Sequence, residues 1–270
     1  MTTIPYAEIH AFCDGDTPFT GNPAGVCLLE KDLPDAVMLG IAKSNNLSET
    51  AFLVPAGADR WRLRWFTPSV EVDLCGHATF GSGAWLFGTG RVAGPEAVFE
   101  TRSGELKVSR EDEGRFAMDL PKVGFSPADA DPIVIEAIGA GKPLEALNID
   151  RVHGARYQML VYADEATIAN LVPDHHLLAS AATNVIVTAR GKSADFVSRF
   201  FAPASGVTED PVTGSAHCTL APYWVEKLQR PRLTARQIGP RPGALDVEPA
   251  GERVTLTGRA AHYLEGEIRL

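Results

Sequence analysis

Four polar side chains stand where the chain's punctuation marks the start of a strand or a helix: Glu49 in LSETAF, His77 in CGHATF, Asp210 in TEDPVTG and Ser215 in TGSAH. Glu49 falls between an amphipathic helical pattern and an apolar strand, where partial burial would raise a carboxyl pKa and let the group take up and release a proton near neutrality. It is the candidate general acid/base, the alternative being a carboxylate that caps a helix end. His77 follows Gly76 at a helix start. It can donate a hydrogen bond to a substrate oxygen or carry a proton, or be a plain polar residue. Asp210, followed by Pro211, can orient a partner or bind a substrate amine, or cap the helix that follows. Ser215 and the N–H groups around Gly214 suit an oxyanion or carboxylate cradle, a role compatible with capping. Cys75 precedes a helix N-terminus, which lowers a thiol pKa and leaves covalent catalysis open.

These residues belong to two segments that repeat one another. Residues 63–78, LRWFTPSVEVDLCGHA, and 198–216, SRFFAPASGVTEDPVTGSA, each run from an apolar strand through Phe-x-Pro and an acidic loop into a glycine-opened helix. The stretches before them share a strand, helix, strand order. A period near half of a 270-residue chain exceeds the roughly 20 to 50 residues of a solenoid and reads as two related lobes. Helix starts leave N–H groups unpaired and carry partial positive charge, so each suits an anion. Lobes facing each other would aim both starts into one cleft, with Cys75, Gly76 and His77 from one side and Asp210, Thr213, Gly214 and Ser215 from the other. Thr213 occupies the place of Cys75, so there is no second thiol.

The elements that must position these groups follow from pattern. YAEIHAF alternates as a strand does, GNPAG reads as a turn before VCLLE, and LPDAVMLGIAKSN has helical spacing. TAFLVP and WRLRWF are strands around AGAD. ATFGSGAWLFG is a helix whose Gly81 and Gly83 imply close packing. GELKVSREDEGRFAMDLP reads as a hairpin and KVGFSPADADP as a linker. Beyond it, RYQMLVYA, NVIVTA and DFVSRFFAP are strands and EATIANLV a helix. Pro222 predicts a kink or an early stop near Leu220 in the helix from Ser215. RLTARQI, ALDVEP, RVTLTG and HYLEGEIRL read as four separate strands.

With 45% hydrophobic and 22% charged residues, the composition is that of a soluble chain of one large or two mid-sized domains. A net charge of −9 without basic runs argues against nucleic acid. No apolar run suits a membrane span, and MTTIPYAEIHAF lacks the pattern of a signal peptide, so a cytoplasmic protein is expected. Cys13, Cys27, Cys75 and Cys218 form no CxxC pair, and the histidines show no HExxH spacing. Reduced thiols and no metal are therefore expected. GxSxG, GxxxxGK[ST] and GxGxxG are absent from the sequence.

The segments GNPAGV at 21–26, SETAF at 48–52, CGHAT at 75–79, RFFAP at 199–203, EDPVTGSAH at 209–217 and PYW at 222–224 together resemble the PhzF family of phenazine-biosynthesis-type isomerases. The resemblance implies an α+β fold of two pseudo-symmetric lobes, each a barrel-like, mostly antiparallel sheet around a central helix, as in diaminopimelate epimerase. It places an N-terminal lobe at 1–120, to which the strand 259–270 is a candidate to return, and a C-terminal lobe at 121–258, and it implies a homodimer. It makes Glu49 the acid/base, with His77, Asp210 and Ser215 lining the substrate pocket; Cys75, Gly76, Thr213 and Gly214, at the same helix starts, complete the expected substrate-binding set. The implied activity is proton movement on a small carboxylate without metal or organic cofactor; the phenazine enzyme itself shifts the double bonds of a hydroxylated dihydroanthranilate. A binding protein without turnover and a thiol-dependent epimerase using Cys75 are the alternatives.

Overall fold

A computed structural model of the chain describes residues 2–150 and 155–270. It divides into two compact units, Met1–Leu120 with Thr255–Leu270, and Pro121–Val254.

The first unit runs β1 (Thr3–Ala11), β2 (Asn22–Leu28), α1 (Asp35–Asn45), β3 (Glu49–Gly57), β4 (Arg60–Phe66), β5 (Glu71–Val72), α2 (Gly76–Gly88), β6 (Glu96–Thr101), β7 (Gly104–Arg110) and β8 (Arg115–Pro121). Its ladder is antiparallel except at β2–β3 and β4–β6, which are parallel. Residues 76–87 of α2 are all buried, as expected of a helix that is apolar or small all round. A Cβ at Gly83 would lie 2.5 Å from the Val108 Cβ, so the close packing expected of this glycine is real. On α1, Met38, Ile41 and Ala42 are buried against Cys27, Phe52 and Phe66. The helix stops at Asn46, whose left-handed backbone returns its N–H to the Ala42 carbonyl and turns the chain toward β3.

GNPAG is not a turn. Asn22 to Gly25 already belong to β2, with Pro23 opposite His10, and the reversal is made by residues 12–21. Proline is tolerated at the beginning of a strand, and here it precedes the ladder to β3, which opens at Ala24 opposite Glu49. Gly25 is needed for a different reason: a Cβ there would come within 3.1 to 3.2 Å of Thr50 Oγ1, Asn45 Nδ2 and Tyr6, close to the start of β3.

The second unit contains β9 (Phe125–Pro127), α3 (Pro132–Ile138), β10 (Glu145–Ile149), β11 (Arg156–Val161), α4 (Glu165–Ala169), α5 (His175–Ser180), β12 (Thr183–Arg190), β13 (Phe196–Ala202), β14 (Val207–Asp210), α6 (Gly214–Leu228), β15 (Leu233–Gln237) and β16 (Gly243–Ala250). Its pairings repeat those of the first unit in sense and order. β11–β12 and β13–β15 are parallel, and β10–β11, β12–β13, β13–β14 and β15–β16 are antiparallel. Its apolar core joins α3, α4 and α5 to β11, β12 and β13 through Val134, Ile168, Leu178, Val187 and Phe201.

Pro222 does not stop α6, which continues to Leu228. The carbonyl that loses its partner to proline is that of Cys218, and the Val123 N–H donates to it at 3.1 Å, replacing the missing helical bond. The expected linker holds a short strand, β9, which pairs with β10. RVTLTG and HYLEGEIRL are one strand, β17 (Arg253–Arg269), antiparallel to β1 with a bulge at Tyr263, the residue skipped between the Glu8–Leu264 and Ile9–His262 pairs. Among the described residues no helix is long and apolar enough to cross a membrane.

Candidate active site

Glu49 is the first residue of β3, reached directly from the end of α1, and is half-buried. Its Oε2 lies 3.3 Å from His77 Nε2, with side chains 16% and 6% exposed. His77 is the second residue of α2 and its Nδ1 stands 3.6 Å from Cys75 Sγ. Cys75 holds the N-cap position in extended conformation. Its carbonyl accepts from both Thr79 Oγ1 at 2.6 Å and the Thr79 N–H at 3.2 Å, so this helix start is held rigidly. Glu49, Cys75, Gly76 and His77 thus come together within the first unit.

Distance alone would make Glu49 and His77 an ion pair. Burial weighs more: it disfavours the imidazolium and holds His77 down at about 4, so the ring is neutral at pH 7. A neutral imidazole beside a carboxyl group can give or accept a hydrogen bond without locking the acid as a carboxylate.

In the second unit Asp210 ends β14 and Thr213 occupies the N-cap of α6. Thr213 Oγ1 donates to Asp210 Oδ2. Gln237, at the end of β15, accepts from the Thr213 N–H through Oε1 at 2.9 Å, and its Nε2 donates to the Asp210 carbonyl at 2.6 Å and to Thr213 Oγ1 at 3.2 Å. Gly214 and Ser215 open the helix, Ser215 half-buried. Asp210 and Thr213 are thus joined by hydrogen bonds in a turn that Gly214 and Ser215 continue into α6. The fully buried His217 Nδ1 lies 2.8 Å from the Thr213 carbonyl. Burial lowers its pKa to about 4, against the opposing effect of that bond.

An arginine holds the acidic loop in each unit. Arg64 donates to both oxygens of Glu71, each at 2.7 Å, and the hydrogen bond to Glu71 is the main reason its pKa is raised. Arg199 donates to Glu209 at 2.7 and 2.8 Å and to the carbonyls of Ile168 and Leu171. Such bidentate pairs fix orientation as well as charge. Sequence reasoning missed these clamps, although Arg and Glu recur at the same places in both repeats. Gln237 opens the segment QIGPRPGAL, but nothing in its local pattern shows that its side chain ties down this turn. Outside proton transfer, Glu49, Cys75 and His77 also form a possible metal-ligand set, with one donor atom from each lying within 4.8 Å of the others.

The model of the phenazine biosynthesis-like protein family matches residues 9–266. The chain belongs to this family. It is 47% identical over 264 residues to an uncharacterised isomerase of Pseudomonas aeruginosa, covering 97% of this chain and 98% of that one. Among solved structures, a PhzF family protein of Enterococcus faecalis superposes with a TM-score of 0.91 at 42% identity, covering all of both chains. Family membership makes the chain an enzyme of the isomerase class. A hydroxyproline epimerase from Agrobacterium vitis matches at 13% identity with a TM-score of 0.63, covering 98% of this chain and 92% of that one; this likeness is one of fold.

Proposed function

We propose that the enzyme moves a proton on a small carboxylate-bearing substrate, with Glu49 as the general acid/base. The observation that carries this reading is the half-buried carboxyl group of Glu49, 3.3 Å from a neutral, buried imidazole. In the proposed reaction Glu49 takes a proton from carbon and returns it to another carbon on the same face. His77 hydrogen-bonds the carboxyl or the substrate oxygen that gains charge. Within the second unit, the turn of Asp210, Thr213, Gly214 and Ser215 offers hydrogen-bonding groups suited to a carboxylate, and Gln237 keeps that turn in shape. Amide N–H groups at a helix start that already point at developing negative charge can contribute about 3 kcal/mol.

The test is incubation in D2O with a hydroxylated dihydroanthranilate and a panel of small unsaturated and amino carboxylates, followed by NMR and mass spectrometry. Deuterium should enter a substrate carbon with the wild-type chain and not with Glu49→Gln, while calorimetry shows the variant still binding. Full exchange in Glu49→Gln would remove Glu49 from the mechanism, and binding without exchange in the wild type would favour a protein without turnover. The 3.6 Å contact between Cys75 Sγ and His77 Nδ1 supports a second reading, thiol-dependent epimerisation. It requires Cys75→Ser to abolish exchange and Glu49→Gln to spare it.

A further inference from the structure

Proton transfer by one carboxyl group does not account for a buried thiol beside the acid/base. A carboxylate oxygen of Glu49, the sulfur of Cys75 and a ring nitrogen of His77 all lie within 4.8 Å of one another. We propose that this trio binds a single divalent cation of the zinc type, with the fourth position left to water or to a substrate oxygen.

The donor set argues for the class of ion. Sulfur, imidazole nitrogen and a carboxylate oxygen are the ligands of tetrahedral zinc, and three of them with one open position is the pattern of exchangeable or catalytic sites. Magnesium and calcium, which require oxygen donors, are disfavoured by the thiol. His77 Nε2 is buried, lies 3.3 Å from Glu49 Oε2 and makes no aligned hydrogen bond, while Nδ1 lies 3.6 Å from Cys75 Sγ, so the imidazole stands between the other two donors with a nitrogen turned to each. Cys75 gives up its proton to solvent on binding, so one thiolate and one carboxylate balance the two positive charges. The start of α2 opposes a cation but favours the thiolate; the two ligand anions make the loaded site neutral.

Geometry says what must move. Tetrahedral ligands at zinc bond lengths sit about 3.3 to 3.8 Å apart, so the widest pair must close by about 1 Å. Cys75 and His77 are held at the rigid helix start, and only one ring nitrogen can coordinate. Half-buried Glu49 is the side chain able to swing. Metal binding would occupy the carboxyl group assigned to proton transfer, so inhibition is a consequence that rests on the proposed function, whereas binding itself does not.

Cobalt(II) is the probe, titrated into the reduced, metal-stripped full-length chain. The expected result is one Co2+ per chain, with a near-ultraviolet thiolate charge-transfer band and strong visible tetrahedral absorption, both discharged by Zn2+. Cys75→Ser should lose the charge-transfer band while Cys218→Ser, which alters another buried thiol, keeps it. Glu49→Gln should weaken Zn2+ binding at least tenfold. Circular dichroism checks folding, and Glu49→Gln, at the exposed side of the set, decides the matter if Cys75→Ser misfolds. Absence of the band, its survival in Cys75→Ser, or unchanged Zn2+ affinity in Glu49→Gln would overturn the proposal. Zn2+ should also stop deuterium exchange, reversibly with a chelator. A cobalt band in a chain whose metal-free form never exchanges would keep the metal site and discard the isomerase reading; exchange untouched by saturating Zn2+ with no band would do the reverse.

Discussion

The two units share a ladder but differ in what they carry on it. Phe66 pairs with Thr50 in the first and Phe201 with Val185 in the second, so the residue corresponding to Glu49 is Asn184. Its amide is committed elsewhere: Nδ2 donates to Ser205 Oγ at 2.9 Å and Oδ1 accepts from the Ala204 N–H at 3.1 Å. At the helix starts, Cys75 and His77 correspond to Thr213 and Ser215, and Val72 to Asp210. Glu49, Cys75 and His77 therefore stand together in the first unit, and Asp210, Thr213 and Ser215 in the second. The conserved part of the repeat is mechanical: the parallel and antiparallel order, the Arg–Glu clamp and the glycine that opens the helix. Duplication of a frame fixes where functional side chains stand without dictating their chemistry.

The comparison can be broken most sharply at Glu49, the proposed acid/base. Glu49→Gln should lower turnover by about 10²- to 10⁴-fold, the range for loss of a general acid/base, and Asn184→Asp added to it should restore nothing in a deuterium-exchange assay. Recovery would mean that the two positions are chemically interchangeable. Next in size is the clamp. Arg199 and Glu209 side chains are only 7% and 13% exposed, so Arg199→Ala leaves a buried carboxylate unpaired, and urea unfolding should show a loss of about 3–5 kcal/mol. Arg64→Ala should cost less, because Arg64 is 24% exposed and Arg102 still reaches Glu71 at 2.8 Å.

Acid stability should distinguish the units by one histidine each. His77 and His217 both sit at about 4 against 6.5 for an ordinary histidine. Below pH 6.5 the unfolded chain takes up protons that the native chain refuses until about 4. Stability is thus complete above 6.5 and falls as the pH drops through that window, by about 3 kcal/mol per histidine. His217→Gln and His77→Gln should each flatten part of the slope seen in urea midpoints measured from pH 4 to 7. The smallest expected effect is that of Cys75→Ser on metal-free turnover, less than about tenfold by steady-state kinetics; a loss as large as that of Glu49→Gln would move the chemistry to the thiol.

Local pattern made much of this architecture legible. The strand alternation of β1, the small and apolar α2, and the repeated strand, Phe-x-Pro, acidic loop and helix are periodicities that neighbouring residues create together. Several short elements are not legible: β6, β9, α3, β10 and α5 are only a few residues long and give too little period to read. The composition of GNPAG reads as a turn, yet pairing with β1 and β3 makes Asn22 to Gly25 strand. Pro222 predicts a kink or an early stop, yet α6 runs on to Leu228 and the Cys218 carbonyl finds its donor at residue 123.

Taken alone, the order of residues determined that the chain is internally repeated and which side-chain types stand at its two glycine-opened helices, because both are written in contiguous stretches. Folding decided that Glu49 meets His77 and Cys75, that Gln237 ties down a turn 24 residues away, and that Arg199 reaches Glu209. Those outcomes depend on which distant segments pack against one another and which buried polar groups find partners there, and no local spacing encodes that.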